Sequence, residues 1–256
     1  MRKVATMLAV MLVTGAVTVQ AEPMRPLLTL ENRILAPGNL EVGSTFEYRE
    51  LRYLGPFAMD EGTSYVLKPY VRYGALPDFE LVAALPLARF EPDFGSNETD
   101  IGNLELGFRL RAYEDIFRFP SVIPHATLKL PTGGDDIGIH GSGDTSVELG
   151  LNLGTRTTVL DKLVWNLDLT YEIFEDEDNI AAAAASLIWE LSDRFAFLFE
   201  TRFENRKRSP DRDRPILLAA GMHYQATEAL GFTVHGGAGT GSQEDVLVVF
   251  KTSLSF

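Results

Sequence analysis

Val246-Leu247-Val248-Val249-Phe250-Lys251-Thr252-Ser253-Leu254-Ser255-Phe256 alternates along its whole length. Val246, Val248, Phe250, Thr252, Leu254 and Phe256 fall on one side of an extended backbone; Leu247, Val249, Lys251, Ser253 and Ser255 fall on the other. A final strand with an apolar outer face and a terminal aromatic residue is what a transmembrane β-barrel presents to lipid and to its insertion machinery. The stretch therefore predicts an outer-membrane barrel whose last strand, ending at Phe256, engages that machinery.

The same two-residue period recurs upstream. Leu163, Trp165, Leu167, Leu169, Tyr171 and Ile173 oppose Asn166, Asp168, Thr170 and Glu172. Phe195, Phe197, Phe199 and Phe203 oppose Glu200, Arg202 and Glu204, and Leu104, Leu106, Phe108 and Leu110 oppose Glu105, Arg109 and Arg111. Alternation bounded by turn signals reads as half-buried strand. Counted along the chain it yields about twelve strands near the ~9 to 11 residues that cross a bilayer at a tilt, in the even number that bacterial single-chain barrels show. The expected fold is an all-β, antiparallel, up-and-down transmembrane barrel over residues 40–256. The connections sort by length: short at Gly74–Asp78, Tyr113–Phe117, Thr158–Lys162, Leu191–Arg194 and Ala226–Ala229, and longer, Gly-rich or charged between them. Short periplasmic turns and long outer loops have this asymmetry, which puts both termini in the periplasm. A soluble barrel or sandwich has no reason to sort its loops so. Ala181–Ala185 is a run of the best helix former, but Leu187, Trp189 and Leu191 alternate with Ser186 and Glu190, so Ile180–Leu191 is expected to be a strand.

At the other end, Arg2 and Lys3 precede the apolar stretch Val4–Val17, and Val19 and Ala21 hold the small positions before a cleavage site. Residues 1–21 thus read as a signal peptide; the competing reading is a membrane-anchoring helix. Residues 22–39, with Pro23, Pro26 and Pro37 and no sustained period, read as a periplasmic lead-in that tucks into the pore. The chain has no cysteine, which excludes an acylated lipoprotein and thiolate metal sites. With no second apolar segment of ~20 residues, only a closed barrel satisfies the backbone in lipid. The formal net charge is −13; loss of the two basic residues of the signal takes it to −15. Such acidity argues against nucleic-acid binding, which relies on Lys and Arg.

The parity assigns a lumen face that carries Glu41, Glu47, Glu105, Glu148, Asp168, Glu172, Glu190, Glu200 and Glu204 against Arg49, Lys68, Arg72, Arg109, Arg111, Lys129, Arg202 and Lys251. The signs nearly cancel, unlike the one-signed rings of strongly ion-selective filters. Two readings follow: a salt-bridge network that fills a small barrel, or ladders that line a path for a small solute. In the second, the path-lining residues are Glu47, Arg49, Lys68, Arg72, Glu105, Arg109, Arg111, His125, Lys129, Glu148, Asp168, Glu172, Glu200, Arg202 and Lys251.

Catalytic and cofactor chemistry finds no support. His125, His223 and His235 take the lumen parity, whereas a lipid hydrolase needs its Ser-His pair at a lipid-accessible position. His140, beside Ser142 and Asp144, is too local to form a triad. Asp135, Asp136 and Asp144 lie on a Gly-rich loop that could hold Ca²⁺ but lacks the late Glu and regular ligand spacing of an EF-hand. No enzyme activity, metal or cofactor is expected. The outer loops are acidic at Glu91, Asp93, Glu98, Asp100, Glu175–Asp178, Glu244 and Asp245, and basic at Arg206, Lys207, Arg208, Arg212 and Arg214. Bound to lipopolysaccharide phosphates directly, or bridged to them by divalent cations, they would make the protein a structural or interaction barrel.

Ile101-Gly102-Asn103-Leu104-Glu105-Leu106-Gly107-Phe108-Arg109, then Leu128-Lys129-Leu130-Pro131-Thr132-Gly133, then Gly141-Ser142-Gly143-Asp144 before a further strand, resembles the outer-membrane family labelled MetA-pathway of phenol degradation. The similarity runs from about Leu40 onward and is strongest between Asp100 and Gly154. It implies a transporter-like barrel for aromatic or other hydrophobic compounds.

Overall fold

Strands with one apolar and one polar face must hide one of them, and closing the sheet on itself leaves no unpaired edge. A computed structural model of the chain has this architecture: an antiparallel barrel of twelve strands. It describes residues 28–29, 33–51, 62–93, 96–114, 119–132, 145–157, 162–175, 179–207, 212–213, 215–240 and 246–256. The signal segment 1–21, the loop residues Asp135, Asp136, His140, Ser142 and Asp144, the acidic residues 176–178, Glu244, Asp245 and the basic side chains from Arg206 to Arg214 lie outside the described part.

The strands are β1 (Leu40–Leu51), β2 (Gly62–Leu76), β3 (Phe79–Ala84 and Leu87–Pro92), β4 (Glu98–Ile101 and Leu104–Leu110), β5 (Ser121–Leu130), β6 (Ser146–Arg156), β7 (Leu163–Phe174), β8 (Ile180–Ser192), β9 (Phe195–Lys207), β10 (Ile216–Gln225), β11 (Leu230–Thr240) and β12 (Val246–Ser255). Each pairs with its sequence neighbours, and a two-residue piece, Arg212–Asp213, extends the pairing beside β9. The ring closes where β1 meets β12, in register from Glu41 opposite Ser255 to Glu50 opposite Val246. Leu40 and Phe256 exchange both backbone hydrogen bonds there, at 3.1 and 2.8 Å. The alanine run lies inside strand β8: pairing on both flanks outweighs its helix propensity.

The packing is inverted relative to a soluble protein. Val42, Phe46, Leu67, Val71, Leu81, Phe108, Leu169, Phe199, Val248 and Phe250 face out and are exposed, whereas Glu41, Glu80, Asn152, Asn166, Asp168 and Glu200 are buried inside. An outward apolar band with a polar interior is the arrangement a bilayer requires. Aromatic residues edge this band toward the short-turn end at Tyr73, Trp189 and Tyr224, and toward the long-loop end at Tyr171 and the edge-to-face pair Tyr48–Tyr65.

One irregularity sits in the wall. Between the pairs Ala84–Glu105 and Leu87–Ile101, two residues of β3 face three of β4, a bulge at Gly102-Asn103-Leu104. Pro86 has no N–H to give there; its carbonyl accepts from Gly102 N–H at 2.7 Å. The Thr132 hydroxyl donates to the Gly102 carbonyl at 2.7 Å and accepts from Leu104 N–H at 3.0 Å. The two sequence motifs Gly102-Asn103-Leu104 and Pro131-Thr132 are thus one structural device.

Candidate functional site

The inner wall is built in three levels, because every second residue of each strand points inward. At the short-turn end, Glu80 of β3 is fully buried between two guanidinium groups. Arg72 donates Nε to Oε1 at 2.8 Å and Nη2 to Oε2 at 2.9 Å, the fork geometry suited to a carboxylate. Arg109 adds a bond of 3.3 Å, and Arg72 also reaches Glu41 at 3.5 Å. The parity reading had Arg72, Arg109 and Glu41 on the lumen face, and missed Glu80, their common partner. Arg111, expected on the same face, lies beyond the end of β4. Its Nε bonds Asp78 at 2.8 Å and its Nη2 the Pro77 carbonyl, so it braces the β2–β3 turn. Across the mouth, Arg156 pairs with Glu190 through two bonds, one of 2.9 Å.

The middle level holds the three inward histidines, all buried. His125 Nε2–H donates to Asp168 at 3.1 Å, and the ring lies on Gly150, where a β-carbon would collide with it. His235 lies on Gly221 in the same way, 3.8 Å from Glu200. His223 donates Nε2–H to the Gln225 carbonyl oxygen at 3.1 Å and accepts from the Thr233 hydroxyl at 2.8 Å. That tautomer follows from Gln225, whose amide nitrogen donates to Thr227 O at 2.8 Å. Among the described residues no group of three or more His, Asp or Glu side chains is placed to hold a metal ion.

Toward the long loops the charges are paired but wetter. Lys129 binds Glu172 at 2.7 Å and Glu148 at 3.6 Å, and Ser146 donates to Glu172 at 2.7 Å. Lys68 meets Glu105 at 3.6 Å, Arg49 meets Glu47 at 2.6 Å, and Arg202 meets Glu204 at 2.8 Å. Lys251 stands over the Tyr70 ring, 5.3 Å from its centroid. These inward side chains keep solvent contact, 23% for Lys129 and 33% for Lys68, against none for Glu80.

The inner wall is not polar all round. Ile188, Ala196 and Leu198 form one buried apolar cluster, and Leu217, Leu247 and Val249 another, the latter packed against Leu28 from the segment before β1. That segment enters the barrel. Leu28 N–H donates to the Glu200 carboxylate, the Thr29 hydroxyl to Ser186 Oγ at 2.8 Å, and Leu35 N–H to Glu80 at 2.9 Å. Leu35 is buried, and Gly38, in a left-handed conformation at φ 84°, bonds back to the Gly74 carbonyl at 2.7 Å. At Gly74 the segment approaches so closely that a β-carbon would strike the carbonyl oxygen of Ala36.

The fold defines the class: a closed, twelve-strand, transmembrane-type barrel of the outer-membrane kind. At the level of sequence no family model matches the chain, and no curated protein does either. The resemblance to the phenol-degradation family therefore stands on its short motifs alone, while the solved structures carry the barrel. The COG4313 outer membrane channel from Pseudomonas putida F1 superposes with a TM-score of 0.71 at 13% identity, covering 88% of this chain and 98% of that one. The KdgM porin, solved with disordered oligogalacturonate, gives 0.56 at 12% identity over 84% and 99%. The CymD monoaromatic hydrocarbon channel gives 0.52 at 9% identity over 87% and 89%.

Proposed function

We propose that this protein is an outer-membrane channel that lets a small solute cross by diffusion, with its short turns and both termini in the periplasm and with no catalytic step. The observation that carries the reading is the partial solvent exposure of the inward-facing pairs Lys68–Glu105 and Lys129–Glu148. Exposure on the inside of a closed barrel means that water reaches these pairs from the long-loop end, and a charged, wetted wall is what a diffusing solute would meet there. The comparisons support the channel architecture. They do not select a solute, since one similar structure was solved with disordered oligogalacturonate and another is named for monoaromatic hydrocarbons. The side chains favour a solute that carries a polar group, because Lys68, Glu105, Lys129, Glu148 and Glu172 are the inward groups that keep solvent contact. Phenol-like compounds, the class the motif resemblance implies, have this character.

A second reading rests on the lower level, where Glu41, Arg72, Glu80, Arg109 and Leu35 are all buried. A lumen sealed there would make the protein a structural barrel whose charged loops engage lipopolysaccharide. Planar-bilayer recording and liposome swelling with phenolic and sugar solutes separate the two. Conductance with solute flux is the expected result; neither, under any voltage or solute tried, would leave the structural barrel.

A further inference from the structure

The inward charges nearly cancel in sum, but not wall by wall. Lys68 of β2 and Lys251 of β12 both stand opposite Thr45 of β1, one on each flank, with Glu47 and Arg49 further along β1 toward the long loops. On β12, β1 and β2 together, three cations thus meet one carboxylate. The facing wall has the reverse. Glu105 of β4 opposes Lys129 of β5, and Lys129 reaches Glu148 of β6 and Glu172 of β7, so that three carboxylates meet one cation. Asp100, level with the buried Ala88 and on the inward face of β4, adds a further negative charge nearer the long loops.

The two groups face each other across the barrel. β12 and β6 are six strands apart in a ring of twelve, and so are β1 and β7. On β9, Arg202 and Glu204 bond each other at 2.8 Å and leave no net charge. The described inward residues of β8, β10 and β11 near this height include Ala182, Ala184, Leu217, Ala219 and Gly237, all uncharged. Lys68 and Glu105 join the two walls past β3, but at 3.6 Å they make no hydrogen bond, and both keep solvent contact.

Opposite charges on facing walls set a field across the lumen rather than along it, and low-dielectric walls focus such a field. A solute of one sign is drawn to one wall and repelled by the other. A solute with separated charges of its own gains at both ends when it turns to lie along the field.

We propose that this lumen is polarised from wall to wall and favours a zwitterionic solute, its ammonium group toward Glu148 and Glu172 and its carboxylate toward Lys68, Lys251 and Arg49. The inference rests on the channel reading and gives it a substrate class: small molecules with an amine and an acid on one skeleton. It accounts for acidic and basic residues that are nearly equal in number yet segregated by strand.

γ-Aminobutyrate and γ-hydroxybutyramide test it, because they are isomers without net charge and only the first is a zwitterion. With the full-length protein in liposomes, osmotic swelling is expected to be about threefold faster in γ-aminobutyrate, the gain that one exposed ion pair supplies. Lys68→Gln together with Glu105→Gln removes a facing pair, lowers the charge on each wall by one and keeps the total. The expected advantage then falls below about twofold, with the rate for γ-hydroxybutyramide unchanged. Equal rates for the two isomers in the native protein, or a faster hydroxyamide, overturn the proposal and leave the channel reading standing; this comparison decides the matter even where the variant does not fold. A folded variant that keeps the whole advantage also overturns it, since Lys68 and Glu105 would then not set the field. Conductance without swelling in either isomer overturns the zwitterion and leaves a channel for ions. Neither swelling nor conductance sinks the channel reading itself.

Discussion

Glu148 on β6 and Glu172 on β7 face each other directly across the strand pair, and Lys129 of β5 reaches both carboxylates, at 3.6 and 2.7 Å. Like charges at directly opposed positions destabilise a sheet, so the register that puts them together depends on the ammonium between them. Because all three side chains keep some solvent contact, the lysine's contribution to stability is modest, about 1 kcal/mol or less, and its main effect is on the sign of the field in the lumen.

Lys129→Met is therefore expected to leave the barrel folded and to make it more permeable to cations. The reversal potential in a salt gradient measures this. A shift toward anions, or none, would remove Glu148 and Glu172 from the conducting wall.

Glu80 should behave in the opposite way, as a structural residue. Glu80→Gln strips the charge from a carboxylate that holds Arg72, Arg109 and the Leu35 N–H, and so removes the counterion that the two buried guanidinium groups share. Breaking a buried pair from one side costs about 3–5 kcal/mol, which urea unfolding in detergent or lipid should show. Replacing Glu41, Arg72, Glu80 and Arg109 together by Met is expected to recover part of that loss, since the desolvation penalty goes with the charges while the Leu35 N–H still lacks its acceptor.

The fold was legible because alternation is a local property, repeated in strands as far apart as β4 and β12. The network around Glu80 was not, because Leu81-Val82-Ala83-Ala84-Leu85 puts apolar residues on both parities of β3 and hides which face Glu80 takes. Arg156, the last residue of β6, escaped for a related reason, since period carries little weight where a strand ends. Arg111 stands one residue past the end of β4, where period gives way to the turn, and its partner Asp78 belongs to that turn. That the lead-in enters the barrel was expected, but its anchors were beyond reach. They are main-chain donors meeting carboxylates 45 and 172 residues away, and no residue pattern encodes such a pairing.

Two glycines of the inner wall owe their identity to histidines. At Gly150 a β-carbon would enter the His125 ring, and His125 is hydrogen-bonded to Asp168 with almost no exposed surface. Gly150→Ala is expected to push the ring off the wall and to cost about 1–3 kcal/mol, as over-packing of a filled interior does. Gly236→Ala, on the same barrel where a β-carbon meets nothing within 4 Å, should be nearly neutral. Comparing the two unfolding midpoints tests the cradle, and equal effects would argue against it.

Thr132 offers the sharpest link between motif and structure. Its hydroxyl donates to the Gly102 carbonyl and accepts from the Leu104 N–H, on either side of the extra residue in β4. Thr132→Val keeps the shape and branching but removes both bonds, which leaves a backbone donor and an acceptor without their partner. The expected loss is about 0.5–1.5 kcal/mol, with faster hydrogen exchange at the Leu104 amide. Thr132→Ser retains the hydroxyl and should keep both the stability and the slow exchange. If serine failed as badly as valine, the methyl group rather than the hydrogen bonds would be what pins the bulge. The pairing of Gly102-Asn103-Leu104 with Pro131-Thr132 would then be a matter of packing.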